Sequence, residues 1–139
     1  MQRDTSVSIW GMSDPYKLIT VAGSWGYDTS TISDSLGNWK TSIRTVEDEG
    51  PFSLLITSGE EKVNIKDILM GEVWLAAGQS NMEMNFDYCC NSTDHSDKEL
   101  LSANNPRIRM FNVKKNLSHT PVFEVEGKWE PAVGKNILP

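Results

Sequence analysis

The first half of the chain alternates apolar and polar positions in short stretches that clusters of turn residues separate. In 6–10 the apolar side chains of Val7 and Ile9 recur at every second position, and 17–21 is rich in β-branched residues. Because successive side chains of a strand point to opposite faces, this period of two predicts half-buried β-strands. Strands are predicted at 6–10, 17–21, 29–32, 39–43, 52–57 and 62–65, the last two as a hairpin.

Short strands at a spacing of roughly ten residues, with little helical periodicity, predict a small antiparallel β-sandwich over residues 1–66. This region contains three tryptophans, Trp10, Trp25 and Trp39. Large aromatic rings dominate the cores of small domains, so we expect all three to fill the sandwich core rather than to stack on a sugar.

The pattern changes in the second half of the chain. Residues 72–77 form a largely apolar run between two glycines, as in a strand that is buried on both faces of a parallel sheet. Helix-permissive residues follow, with a short helix predicted at 98–102 and another strand at 108–113. This order of elements predicts the incomplete opening of an α/β domain over residues 67–139.

Composition and charge argue against nucleic-acid and membrane partners. The chain has 13 Lys and Arg against 19 Asp and Glu, a net charge of −6, whereas a nucleic-acid surface needs clustered basic side chains. No stretch reaches the roughly 18 consecutive apolar residues of a membrane span, and the first residues lack the pattern of a signal peptide. The sequence therefore predicts neither a nucleic-acid partner nor a membrane partner.

The two cysteines, Cys89 and Cys90, are adjacent, and a bond between neighbours would strain both the disulfide and the backbone. They are either ordinary thiols or include a partner for a cysteine outside this sequence. His95 is the only histidine near them, and no second pair of cysteines exists. We therefore expect no metal site.

Residues 78–81, Gly-Gln-Ser-Asn, form a turn at the end of the predicted apolar strand. Open α/β sheets place their reactive groups in such loops, at the carboxyl ends of parallel strands. The hydroxyl of Ser80 can act as a nucleophile once a base removes its proton, and a free amide of the turn can stabilise the resulting oxyanion. Serine is also a favoured helix cap, and Met82 excludes the Gly-x-Ser-x-Gly nucleophile elbow.

The longer string at 67–84, with Gly-Gln-Ser-Asn-Met at its centre, closely resembles the nucleophile segment of sialate O-acetylesterases, which are members of the SGNH hydrolase superfamily. The resemblance covers nearly the whole chain and is most specific in that central motif. Other segments that look like the family are 2–4, 10–11, 14–15, 50–52, 105–113 and 127–131.

The resemblance implies a β-sandwich followed by an SGNH-type, flavodoxin-like α/β domain, and hydrolysis of O-acetyl esters on sialic acid or related sugars. It makes Ser80 the catalytic nucleophile and its backbone amide an oxyanion donor, with Gln79 and Asn81 binding the substrate. It implies no metal and no cofactor, and it places the protein in a secreted, lysosomal or periplasmic compartment.

The family's catalytic base lies in a late Asp-x-x-His that is not identifiable here, and neither are the Gly and Asn that complete its oxyanion hole. His95 and His119 follow Ser92 and Asn116 by three positions rather than an Asp, so both are expected to be surface side chains. We expect the chain to end before its base and to be inactive alone, since a triad without its base loses most of its catalysis.

Two other functions fit the sequence. In one, the β-sandwich is a non-catalytic carbohydrate-binding or interaction module, and Ser80 only caps a helix. In the other, the protein is an acetyl xylan esterase of the same superfamily. The sequons at 91–93 and 116–118 also predict a glycoprotein if the chain enters a eukaryotic secretory pathway.

Overall fold

The computed structural model describes residues 1–83, 98, 102, 104–122 and 124–133. Within these residues, no helix has the length and apolar character that crossing a bilayer requires. The six strands predicted before residue 67 are all present, with ends that agree to within three residues. The elements in chain order are β1 (Ser6–Met12), β2 (Leu18–Gly23), β3 (Asp28–Ile32), β4 (Asn38–Arg44), β5 (Phe52–Ser58), β6 (Glu61–Ile68), a 3-10 helix (Ser80–Glu83), β7 (Asn104–Val113) and β8 (Gly127–Val133).

Contacts within the chain divide it into two compact units, Met1–Leu75 and Ala76–Pro139. The first unit contains β1 to β6, and the second contains the 3-10 helix, β7 and β8. The assignment of 1–66 to a sandwich domain and of 67–139 to a hydrolase domain stays a prediction, because compactness alone does not identify a domain's family.

The strands of the first unit form two antiparallel sheets. β1 pairs with β4, and the larger sheet has the order β3-β2-β5-β6. In the β1–β4 pair, Val7 lies opposite Ile43, so the apolar faces of the two strands coincide. Ile19 and Val21 of β2 and Leu54 of β5 provide the corresponding apolar positions of the larger sheet.

The core of the first unit combines these apolar faces. Ile19, Val21, Ile43 and Leu54 are each at most 2% exposed, and Trp39 is 8% exposed. All five belong to one cluster, and their removal from water is the main favourable contribution to folding. Because two antiparallel sheets share this core, the structure is consistent with the predicted β-sandwich.

Trp39 packs directly over Gly11, its partner in the β1–β4 register. A Cβ atom at residue 11 would lie 2.8 Å from Cζ2 of Trp39, well inside the separation at which carbon atoms attract one another. The absence of a side chain at Gly11 therefore makes room for the indole in the core.

The prediction of a core role is confirmed for Trp39 and Trp25 and is wrong for Trp10. Trp25 packs against the core cluster, its indole N–H donates to the Arg44 carbonyl at 2.7 Å, and its ring meets Phe52 edge-on at 5.7 Å. Trp10 is instead 66% exposed. Ile9 packs on the core, so the alternation of β1 turns the next side chain outward.

In the second unit, β7 and β8 form an antiparallel pair in which Phe111 lies opposite Trp129, with ring centroids 5.3 Å apart. The strand predicted at 108–113 is therefore present, but its neighbour among the described residues is antiparallel rather than parallel. The helix predicted at 98–102 is helical at its two described positions, Lys98 and Ser102. Its other residues lie outside the described part of the chain.

The prediction of a buried parallel strand at 72–77 is wrong for this structure. The segment has no strand conformation, and the side chains of Trp74 and Leu75 are 86% and 93% exposed. A strand of the predicted type needs paired neighbours and a layer of structure on each face of its sheet. The described residues provide no such neighbours, and pairing stops at an isolated bridge between Gln2 and Gly71.

Replacing Ile43 with Ala should lower the free energy of unfolding by about 2–5 kcal/mol, because it removes a buried side chain and leaves a cavity. Ile32 on β3 is the matched control, since it is 63% exposed whereas Ile43 is 1% exposed. Ile32→Ala should therefore cost less than about 1 kcal/mol. Urea unfolding followed by tryptophan fluorescence measures both variants, and equal losses would contradict the assignment of the core.

Candidate functional site

Ser80 lies at the start of a single helical turn. The 3-10 helix spans Ser80–Glu83, and the amide of Met82 donates to the carbonyl of Gln79 at 2.9 Å. A Cβ atom at Gly78 would come within 2.9 Å of Cγ of Met82, so the glycine lets the methionine side chain fold back against the turn. The predicted turn is therefore present, and Ser80 is exposed in it.

This turn holds the three predicted site residues, Gln79, Ser80 and Asn81, as consecutive positions. The first amides of a helix have no acceptor within the helix. The Ser80 amide can therefore donate to an anionic oxygen that develops beside the Ser80 hydroxyl. The predicted nucleophile and one predicted oxyanion donor thus belong to the same residue.

The described residues place no base against the Ser80 hydroxyl. No hydrogen bond joins the Ser80 hydroxyl to another side chain in the described part of the chain. His119 is exposed in the loop that joins β7 to β8, which confirms the prediction of a surface side chain, and His95 lies outside the described residues. Activation of Ser80 therefore requires a group that these residues do not supply.

Metal-binding side chains do not gather in the described ranges, where no group of three His, Cys, Asp or Glu residues could hold an ion. Cys89 and Cys90 lie outside those ranges. The chemistry that the described residues do offer is that of a serine hydroxyl next to a free backbone amide, which is suited to acyl transfer.

A polar cluster anchors the chain just before the exposed apolar run. Glu72 accepts hydrogen bonds from Nε2 of Gln2 at 2.9 Å and from Nε of Arg3 at 3.1 Å. The side-chain oxygen of Gln2 accepts from the Val73 amide at 2.9 Å, and the Arg3 amide donates to the Gly71 carbonyl at 3.1 Å. We call Gln2, Arg3 and Glu72 the Glu72 cluster, and it fixes the backbone on both sides of residue 72.

Sequence patterns did not identify the Glu72 cluster, because Gln2 and Glu72 are 70 positions apart and the pattern assigned residue 72 to a buried strand. The only sign was the family resemblance of residues 2–4. In the structure, hydrogen bonds from Gln2 and then from Arg3 hold the pKa of the Glu72 carboxyl below its usual value. Glu72 is therefore stabilised as a carboxylate.

No family model matches the chain, but curated proteins do. Human sialate O-acetylesterase is 31% identical over 125 residues, which is 84% of this chain and 20% of that protein. Mouse sialate O-acetylesterase is 27% identical over 142 residues, which is 93% of this chain and 26% of that protein. The chain thus spans about a quarter or less of the length of these curated relatives.

A solved structure is similar as well. The crystal structure of a carbohydrate acetylesterase from Xanthomonas citri matches 99% of this chain and 31% of that chain. The TM-score is 0.87 and the sequence identity is 30%. The fold of this chain is therefore shared with part of that acetylesterase.

Replacing Glu72 with Gln should weaken the dependence of stability on pH in the acid range. Because the folded pKa of Glu72 is lowered, the carboxylate stabilises the fold above the unfolded pKa of about 4.3, and this contribution is lost as the pH falls through the folded pKa. The variant should therefore be less stable than the wild type at pH 7, and the difference should shrink below about pH 4. Urea unfolding at a series of pH values measures it.

The control for this prediction is Glu61→Gln, which removes the same charge from an exposed position on β6. Its unfolding profile should stay close to that of the wild type. A Glu72→Gln profile that ran parallel to the wild type at every pH would show that the Glu72 cluster does not stabilise the fold.

Proposed function

With the chain identified as a sialate O-acetylesterase-like sequence, we propose that it carries the nucleophile of a serine esterase that removes O-acetyl groups from sialic acid or related sugars. The observation that carries this proposal is the exposed Ser80 at the start of a helical turn, within the Gly-Gln-Ser-Asn-Met motif. The substrate is an O-acetylated sugar, and the relatives named sialate O-acetylesterase support that class.

In the proposed reaction, the Ser80 hydroxyl oxygen attacks the acetyl carbonyl while a base takes its proton. The Ser80 amide donates to the oxyanion of the tetrahedral intermediate. The bond between the acetyl carbon and the sugar oxygen then breaks, and the sugar leaves with the proton held by the base. Water, losing a proton to the base, then attacks the acetyl carbon on Ser80; acetate leaves, and the Ser80 oxygen regains a proton from the base. Gln79 and Asn81 bind the substrate throughout. The family resemblance assigns the base to an Asp-x-x-His that this chain does not contain.

We also propose that residues 67–139 begin an SGNH-type α/β domain, whose remaining parts cover the apolar side chains that are exposed after residue 72. The support is the exposure of Trp74 and Leu75, 86% and 93%. A contiguous exposed apolar segment is typical of a surface that another part of a protein covers.

An acetyl xylan esterase of the same superfamily is the second candidate, and the similarity to a solved carbohydrate acetylesterase favours it, since that name does not specify sialic acid. Parallel initial rates on O-acetyl sialic acid and on acetylated xylan distinguish the two. The hypothesis of a non-catalytic carbohydrate-binding module has less support at Trp25. Its indole N–H donates to the Arg44 carbonyl and its ring packs against Phe52.

Joining this chain to the remainder of the Xanthomonas citri acetylesterase, in place of the 31% that it matches, should give an esterase that depends on Ser80. Ser80→Ala should lower kcat/KM by about 10³-fold or more, because it removes the nucleophile. The 139-residue chain alone should hydrolyse an aryl acetate no faster than buffer. Initial rates with 4-nitrophenyl acetate measure all three proteins.

Ser118→Ala, in the exposed loop after β7, is the matched control and should keep the activity of the hybrid protein. Only hybrids with a cooperative thermal unfolding transition are compared. The proposal fails if the folded Ser80→Ala hybrid stays active, and the proposed inactivity of the isolated chain fails if its hydrolysis is measurable and disappears with Ser80→Ala.

We propose a secreted, lysosomal or periplasmic location and, in a eukaryotic secretory pathway, glycosylation of Asn116. Asn116 and Leu117 are exposed between β7 and β8, where the sequon is accessible. Secretion from mammalian cells behind a foreign leader should give a chain whose mass falls on treatment with peptide N-glycosidase. Asn116→Gln should reduce this loss of mass by the mass of one glycan. Asn112→Gln on β7, outside any sequon, should not change it. If Asn116→Gln lost as much mass on deglycosylation as the wild type, glycosylation of Asn116 would be excluded.

A further inference from the structure

The outward face of the β1–β4 pair presents an aromatic ring directly opposite a cation. Both strands alternate strictly, so that every second side chain is exposed. In the register, Trp10 lies opposite Lys40, and Ser8 lies opposite Ser42. Directly opposite side chains of an antiparallel pair lie close enough to contact the same ligand. We call this surface the β1–β4 outer face; its members used below are Ser8, Trp10, Lys40, Ser42 and Arg44.

The side chains of Trp10 and Lys40 form no ring contact and no ion pair among the described residues. Trp10 is 66% exposed, and the ring contacts among the described residues join Trp25 to Phe52 and Phe111 to Trp129. In the same part of the chain, Lys40 forms no ion pair. An exposed tryptophan with no partner retains its large apolar surface for a ligand.

The charge of this face is opposite to that of the chain. Its strand positions carry Lys40 and Arg44 and no carboxylate, although the net charge of the chain is −6. Arg44 has Asp4 at 3.8 Å, with both side chains more than half exposed, so that pair is weak. Both cations of this face are therefore available to an anion, and Lys40 is the one that lies opposite Trp10.

We propose that the β1–β4 outer face is an accessory binding site for a terminal sugar that bears a carboxylate, as sialic acid does. The Trp10 ring lies under the apolar face of the sugar, the Lys40 ammonium pairs with the carboxylate, and the Ser8 and Ser42 hydroxyls bond to sugar hydroxyls. The class of sugar rests on the proposed function, whereas the site does not include Ser80.

The test is a titration of the isotope-labelled chain with 3′-sialyllactose, followed by NMR. The signals of the Trp10 indole and of neighbouring β1 and β4 amides should shift and saturate, and lactose, which lacks the carboxylate, should bind about tenfold more weakly or not at all. Trp10→Ala and Lys40→Glu should each weaken binding of 3′-sialyllactose by about tenfold or more.

The matched controls are Trp129→Ala, since Trp129 is 63% exposed on β8, and Lys62→Glu, which makes the same charge change on exposed β6. Both should bind like the wild type. If Trp10→Ala or Lys40→Glu does not give a folded spectrum, Trp10→Phe and Lys40→Gln replace them and should still weaken binding.

The proposal is overturned if shifts do not saturate, if lactose binds as well as 3′-sialyllactose, or if the controls lose as much affinity as the face variants. Binding is measured without turnover, and Ser80→Ala should leave it unchanged. A hybrid protein without esterase activity would therefore contradict the proposed function alone, and a chain that does not bind would contradict this site alone.

Discussion

The burial of one apolar face from each of two antiparallel sheets is the interaction on which the first unit depends. Ile43 of β4 and Ile19 of β2 are each 1% exposed within the same cluster. Because strand side chains alternate, the choice of inner positions also decides the outer ones. Trp10 and Lys40 share the outer face for this reason, and a slip of one residue between β1 and β4 would turn one strand's apolar side chains outward.

The proposed nucleophile depends on a different kind of interaction. One backbone hydrogen bond, from Met82 to Gln79, closes the turn that presents Ser80, so its geometry is set by adjacent residues. Reactivity is not local in the same way, because a serine hydroxyl needs a base that comes from elsewhere in a fold. The Glu72 cluster is an example of a contribution from a distant segment, because residues 2 and 3 bind residue 72, which precedes the turn.

The sequence allowed the strands of the first unit to be predicted because their period of two is a direct consequence of burial on one face. The same reasoning applied residue by residue would have placed Trp10 outside, and only the general preference of tryptophan for cores suggested otherwise. The run at 72–77 could not be assigned correctly from its composition, since burial requires partner strands and composition does not show whether they are present. The candidate site was predicted from a motif rather than from a periodic pattern, and no base could be assigned because the chain contains no Asp-x-x-His.

The bridge between Gln2 and Gly71 brings residues at the two ends of the first unit side by side, with the Arg3 amide bonded to the Gly71 carbonyl. A unit whose ends meet can be placed within a loop of another protein without stretching the host on either side. The first unit therefore has the geometry of a module that can be inserted into another chain. Both connections to a host chain would then lie side by side, and the Glu72 cluster would hold them together.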